Sequence, residues 1–199
     1  MPNVAIVYYS SSGTNFAMAQ AVAEGAREAG AEVRVRIVAE TAPPEAIARN
    51  PAWQAFRDAH KDDPQATPDD LVWADAVVFG TPTRYGNVAS QLKAFIDSLG
   101  GVWFQGLLAD KVYAGFTSAM NPHGGQESTL LALYNTIHHF GGVIASPGYT
   151  DPLTYASGGN PYGPSVTTGM NGAGPTEADL AHARYLGKRV TTFAKKLRG

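Results

Sequence analysis

Apolar residues in this chain follow two rhythms, short unbroken runs and helical stripes, and the two alternate. Val4 to Tyr9 is an unbroken run with β-branched and aromatic content, which predicts a strand buried on both faces. It stops in the hydroxyl-rich stretch Ser10 to Asn15. From Thr14 to Gly30, Phe16, Ala19, Ala23 and Ala26 recur at helical spacing while Glu24, Arg27 and Glu28 lie mostly off the stripe, so a helix follows. Val33, Val35 and Ile37 alternate with Glu32, Arg34 and Arg36, the pattern of an edge strand with one less apolar face. Thr67-Pro68-Asp69-Asp70 starts a short helix with Pro at its first position. Ala76 to Gly80 is a third strand, followed by a helix with Val88, Leu92, Phe95, Ile96 and Leu99 on one face. Lys111 to Ala119 is a fourth strand, Glu127 to Phe140 a helix and Val143 to Ala145 a short fifth strand. The last helix opens on Thr176 with Asp179, close to a capping box. It buries Leu180, Ala183, Leu186, Val190, Phe193 and Leu197, and it ends in Lys195, Lys196 and Arg198, which suit the negative end of its dipole.

Strand and helix alternate throughout, and right-handed crossovers leave one architecture: an α/β doubly wound, five-stranded parallel sheet with helices on both faces. A single domain spanning residues 1–199 is expected. Two stretches break the rhythm. Ala42 to Asp70 is Pro-rich and weakly periodic, with Trp53 and Phe56 as one short helical face, and is expected to be a surface excursion. Pro147 to Pro175 is expected to be loop, either a lid or an assembly surface.

Composition narrows the function classes. With 44% hydrophobic and 16% charged residues and a formal charge of −2, the chain has neither a nucleic-acid footprint nor the acidic face of a small electron carrier. The absence of cysteine excludes disulfides, thiolate metal sites and thiol catalysis. His60, His123 and His182 lack ligand spacing, so no metal site is expected. No secretory leader is expected, since Pro2 and Asn3 precede a strand of only about six residues, and no apolar run approaches the roughly 20 residues that span a bilayer. No membrane partner is expected, and cytoplasmic residence is.

Three strand-end loops carry the candidate chemistry. In an open parallel sheet a ligand lies beyond the carboxyl ends of the strands, where strand order reverses. Ser10, Ser11, Ser12, Gly13, Thr14 and Asn15 put hydroxyls and free amides at a helix N-terminus, which suits a phosphate or merely caps the helix. Neither G-x-G-x-x-G nor G-x-x-x-x-G-K-[ST] occurs. The loops after the third and fourth strands supply Gly for close backbone approach and Arg84, Tyr85, Asn87, Asn121 and His123 as polar or planar groups. Together they describe a pocket for a flat, hydrogen-bonding ring with a phosphorylated tail, as FMN has.

Tyr8-Tyr9-Ser10 before a hydroxyl-rich loop resembles the flavodoxin superfamily. Phe79-Gly-Thr-Pro-Thr-Arg-Tyr-Gly-Asn87, Gly100-Gly-Val-Trp103, Gly124-Gly-Gln-Glu127, His138-His139 and Gly158-Gly-Asn-Pro-Tyr-Gly163 resemble the WrbA-type NAD(P)H:quinone oxidoreductases, in order and over the whole chain. The resemblance implies a flavodoxin-like fold, FMN as cofactor and NADH or NADPH as donor. It also implies quinone reduction by two electrons through a ping-pong hydride transfer, in a homotetramer. Ser10 and the backbone around Ser12 to Asn15 would hold the phosphate, Pro82, Thr83, Arg84, Tyr85 and Gly86 would line the ring, and Ser118, Ala119, Met120, Asn121, Gly124 and Gly125 would close its other edge. Trp103 and His139 would approach the flavin in the assembled tetramer, with Trp103 and Tyr85 as stacking surfaces for planar substrates and no side chain acting as acid, base or nucleophile.

Two departures bear on substrate binding. The family commonly has an aromatic residue, linked to nicotinamide binding, where this chain has Ser12, and Met120-Asn-Pro-His123 replaces a plainer Gly/Thr-rich segment. From the residues alone, His138 and His139 also read as complements to a helix dipole and Trp103 as a loop anchor. An FMN electron carrier or regulatory binding protein is the alternative function, and a pocket that has lost its flavin is a third.

Overall fold

The apolar runs become the middle of one sheet. In the computed structural model, which describes all 199 residues, strand β1 (Asn3–Tyr8) is followed by α1 (Thr14–Glu28) and β2 (Glu32–Ile37). Three short helices, α2 (Pro44–Ala48), α3 (Pro51–Ala59) and α4 (Pro68–Trp73), lead to β3 (Ala76–Pro82). Then come α5 (Ser90–Asp97), α6 (Gly100–Phe104), β4 (Val112–Ala119), α7 (Gln126–Phe140) and β5 (Val143–Ile144). The chain closes with α8 (Leu153–Ala156), β6 (Ser165–Thr167) and α9 (Glu177–Arg198).

All pairings between these strands are parallel, in the order β2-β1-β3-β4-β5. This is the expected doubly wound sheet, with β2 at an edge and the order reversing between β1 and β3. Alternate residues of each central strand serve opposite layers. Val4, Ile6, Tyr8, Val78 and Phe116 pack with α1 and α9, and Ala5, Val7, Val77, Phe79 and Tyr113 pack with α4, α5 and α7. Period-two alternation with both faces buried is why these strands read as unbroken apolar runs.

Several expectations are corrected by the structure. The fifth strand position is shared: β5 pairs with Val112 and Tyr113, the chain leaves the sheet edge, and β6 returns to pair with Thr117 to Ala119 of the same β4. The Pro147 to Pro175 stretch therefore contains a helical turn and a strand. The excursion after β2 is likewise helical in α2 and α3, and Phe56 is buried. Three-residue strands and five-residue helices are too short to show a period in the sequence, and contacts with the rest of the fold hold them. The Gly100 segment is a helix, not a loop, and Leu197, expected on the buried stripe of α9, is exposed.

His182, on the buried side of α9, ties the inserted segment to that helix. Its Nδ1 lies 2.6 Å from Ser157 Oγ and its Nε2 3.3 Å from Thr154 Oγ1. Burial pushes the imidazole from 6.5 down to about 4, only partly offset by the nearby Asp151 and Asp179. The unfolded chain thus takes up a proton that the folded chain refuses. Stability is intact above the ordinary value and is lost as pH falls from there toward the folded value, by about 3 kcal/mol in all. Urea unfolding of the protein and of His182→Gln at pH values spanning this window checks it: the pH slope should shrink in the variant, and an equal slope refutes the assignment.

Candidate active site

Ser10 to Asn15 turn directly from β1 into α1. Gly13, the N-cap, has φ +96°, a conformation that L side chains rarely adopt, and its N–H donates to Ser10 Oγ at 3.0 Å. The first bond of the helix runs from Ala17 N–H to the Gly13 carbonyl at 3.0 Å. The amides of Ser11, Ser12, Thr14, Asn15 and Phe16 donate to no protein acceptor, and they lie at the positive end of a 15-residue helix. Asn15 is 1% exposed, and its Oδ1 is the one buried side-chain polar atom of the chain with no hydrogen-bond partner. Oxygen and nitrogen of that carboxamide exchange by a flip, so the group can turn a donor toward an anion.

The second loop opens after β3, where Thr83 N–H donates to the Ser118 carbonyl at 2.8 Å. Arg84 and Asn87 exchange backbone bonds at 2.8 and 3.0 Å around Tyr85 (φ +52°) and Gly86 (φ +76°). Two consecutive left-handed residues make a tight reversing turn of the type I′ kind. It leaves the Tyr85 ring fully exposed at the lip of the crevice.

The third loop follows β4 and is locked by buried Gln126. Its Oε1 accepts from Gly124 N–H at 2.9 Å and its Nε2 donates to the Asn121 carbonyl at 2.8 Å. A Cβ at Gly125 would lie 2.8 Å from Gly86 Cα, so the second and third loops touch backbone to backbone.

The three loops enclose a cavity of about 500 Å³ at the point where strand order reverses, a size that suits a cofactor. Of the residues expected from the sequence, Ser10, Ser11, Ser12, Thr14, Asn15, Pro82, Thr83, Arg84, Tyr85, Ser118, Ala119, Met120, Asn121 and Gly124 line it. Gly13, Gly86 and Gly125 do not: the first shapes the turn and the others form the contact between loops. Thr168 lines it without having been expected. It arrives by tertiary pairing, as β6 docks on β4 and Thr168 N–H donates to the Ala119 carbonyl at 2.9 Å. No local signal in the sequence announces it.

Trp103 and His139 lie elsewhere within the chain. Trp103 Nε1 donates to the His139 carbonyl at 2.7 Å, and both line a separate depression of about 320 Å³ with Lys93, Asp97 and Phe140. His139 is in the last turn of α7, about 20 Å along the helix from the end that meets the cavity.

Arg84 is the one charged residue in the wall, and no carboxylate joins it. No Lys or Arg lies between Ser10 and Phe16, so an anion at the first loop would meet fixed, neutral donors there. The unused amides, the orphaned Asn15 carboxamide and the cavity lined by all three loops fit FMN. Fold and cavity define a flavodoxin-like FMN-binding protein.

Comparison with known proteins agrees with that class. Residues 2–150 match the model of the NADPH-dependent FMN reductase family. The chain is 53% identical over 196 residues to an NAD(P)H dehydrogenase (quinone) of Deinococcus radiodurans, covering 98% of this chain and 97% of that one. It is 44% identical over 203 residues to an NAD(P)H dehydrogenase (quinone) of Geobacter sulfurreducens, covering 99% and 100%. A WrbA-like flavodoxin crystal structure from Agrobacterium tumefaciens superimposes with TM-score 0.67 at 27% identity, covering 98% and 99%. The chain belongs to the WrbA-type NAD(P)H:quinone oxidoreductases of the flavodoxin-like superfamily.

Proposed function

We propose that this flavoenzyme, with FMN as cofactor and NADH or NADPH as donor, reduces quinones by two electrons in a ping-pong cycle, donor and quinone using one cavity in turn. The observation that carries the reading is that the amides of Ser11, Ser12, Thr14, Asn15 and Phe16 have no protein acceptor, beside the unpartnered Asn15 carboxamide. When bound, FMN supplies the redox chemistry; the chain supplies grip, orientation and charge. Ser10 to Asn15 hold the phosphate. Arg84 brings the one positive charge in the wall toward negative charge that accumulates in the cavity on reduction. Tyr85, fully exposed at the lip, offers stacking surface to a planar substrate. With no dinucleotide fingerprint in the sequence, a shared mouth is the economical route for both substrates.

Anaerobic stopped-flow mixing of the FMN-loaded protein with NADH or NADPH should bleach the flavin, and quinone should restore its colour. Absorbance unchanged by both donors overturns the proposal. Intersecting rather than parallel double-reciprocal plots overturn the ping-pong scheme alone.

Assembly completes the reading. A homotetramer would bring Trp103 and His139 of one subunit to the cavity of another, and exposed Trp103, Phe104 and Leu107 give that contact an apolar surface. No helix is long and apolar enough to cross a membrane; cytoplasmic residence, where NAD(P)H is supplied, belongs to the same proposal. Light scattering giving a mass near the 21.0 kDa of one chain would refute assembly.

A further inference from the structure

Behind the first loop lies a carboxylate that the reading above leaves unused. Glu40 follows β2, and its two oxygens accept five hydrogen bonds. Oε1 accepts from Gln91 Nε2 at 2.7 Å, Thr41 N–H at 2.9 Å and Ala42 N–H at 3.0 Å. Oε2 accepts from Tyr9 Oη–H at 2.9 Å and Trp53 Nε1–H at 3.0 Å. Burial works to raise the carboxyl, but bonds from Ala42, Gln91, Tyr9 and Trp53 outweigh it and hold the group below the usual carboxylate range.

Three of the five donors, Tyr9, Gln91 and Trp53, come from segments beside the first two loops. Tyr9 immediately precedes Ser10. Gln91 is in the first turn of α5, just after the Arg84–Asn87 turn. Trp53 is on α3, which also carries Phe56, and Phe56 backs the first loop: a Cβ at Gly13 would meet its ring at 3.6 Å, and its centroid is 6.0 Å from that of Phe16. Trp53 packs against one core layer and Phe56 belongs to the other, so α3 straddles the end of the sheet beside this loop.

We propose that Glu40 is a positioning residue for the phosphate of the flavin, pinning Tyr9 directly and, through Trp53, the helix whose Phe56 supports Gly13. The free amides of Ser11, Ser12, Thr14, Asn15 and Phe16 are then aimed before the ligand arrives. This rests on the placement of the FMN phosphate at Ser10 to Asn15 argued above. A carboxylate is required because the partners are donors. Indole and backbone N–H groups cannot accept, whereas a tyrosine hydroxyl can turn round. In Glu40→Gln one carboxylate oxygen is replaced by an amide NH2, which only donates. With its oxygen kept toward Gln91, Thr41 and Ala42, the amide NH2 faces Trp53 Nε1–H, donor against donor, and that tether is lost.

The test is titration of the full-length apoprotein with FMN and with riboflavin, followed by quenching of flavin fluorescence, for the wild type, Glu40→Gln, Trp53→Phe and the double variant. Loss of one charge-assisted bond that leaves the loop in its aimed geometry about a tenth of the time weakens FMN about tenfold. Riboflavin, lacking the phosphate, should change by less than about twofold. Trp53→Phe should reproduce the effect, and the double variant should be no worse than either single one, because both break the same tether.

A purely structural role would weaken both flavins alike. A preserved ratio of FMN to riboflavin affinity in Glu40→Gln therefore overturns the assignment whatever the melting temperature does, and Trp53→Phe applies the same criterion if Glu40→Gln does not fold. A wild type that binds the two flavins equally would instead remove the phosphate site itself, and the positioning role with it.

Discussion

Asn15→Asp is expected to weaken FMN binding about a thousandfold. Asn15 is buried among the unused amides at the start of α1, its carboxamide without a partner. A carboxylate there would face the phosphate at close range. At about 4 Å and an effective dielectric of about 20, two like unit charges cost about 4 kcal/mol, which is about a thousandfold in affinity. Asn15→Ala removes a donor without adding charge and should cost only about tenfold. Burial and the phosphate would both raise the introduced carboxyl, so affinity should recover as pH falls and the group becomes neutral. Fluorescence titration at neutral and acidic pH checks both. An Asn15→Asp protein that binds FMN as the wild type does would move the phosphate away from this loop.

Gly187→Ala should lower stability by about 3 kcal/mol, a drop of about 10 °C in Tm for a chain of this size. Helices α1 and α9 cross at two glycines. A Cβ at Gly187 would lie 2.0 Å from the Val22 carbonyl oxygen, and one at Gly25 would lie 1.9 Å from that of Arg184. The obstacles are backbone atoms, which no rotamer change removes, so the helices must separate. Ala gains about 1 kcal/mol over Gly in helix propensity, and that gain is smaller than the cost of prying two packed helices apart. Calorimetry of the apoprotein measures the difference. An unchanged or raised Tm would show that α1 and α9 yield without loss.

The same helix pair shows how a pattern can be read and still understate its element. The stripe of Phe16, Ala19, Ala23 and Ala26 correctly located α1. The buried set, however, also includes Met18, Ala21, Val22 and Gly25, because the helix is covered by the sheet on one side and by α9 on another. A one-sided stripe cannot report a second covering surface, although the small residues on that side hint at one. At the cavity, all three loops were legible because each stands directly between an apolar run and a helix. Thr168 was not legible, because the return of β6 to β4 is a contact between distant parts of the chain.

Trp103 and His139 mark another limit. Their motifs are distinctive in the sequence, yet one chain places them together, away from the cavity. Residue order can mark a position without saying where it lies relative to a pocket, and in this case the proposed assembly has to supply the rest.

The alternation of apolar runs and helical stripes determined by itself the parallel sheet, its two covering layers and the strand ends at which a ligand would be sought, because each of these follows from local periodicity and the handedness of crossovers. Only the tertiary structure decided the rest: the shared fifth strand position, the contact between Gly86 and Gly125, the convergence of Tyr9, Trp53 and Gln91 on Glu40 and the arrival of Thr168. Each joins segments far apart in the chain, and their geometry is set by close packing of the whole core, which no window of neighbouring residues contains.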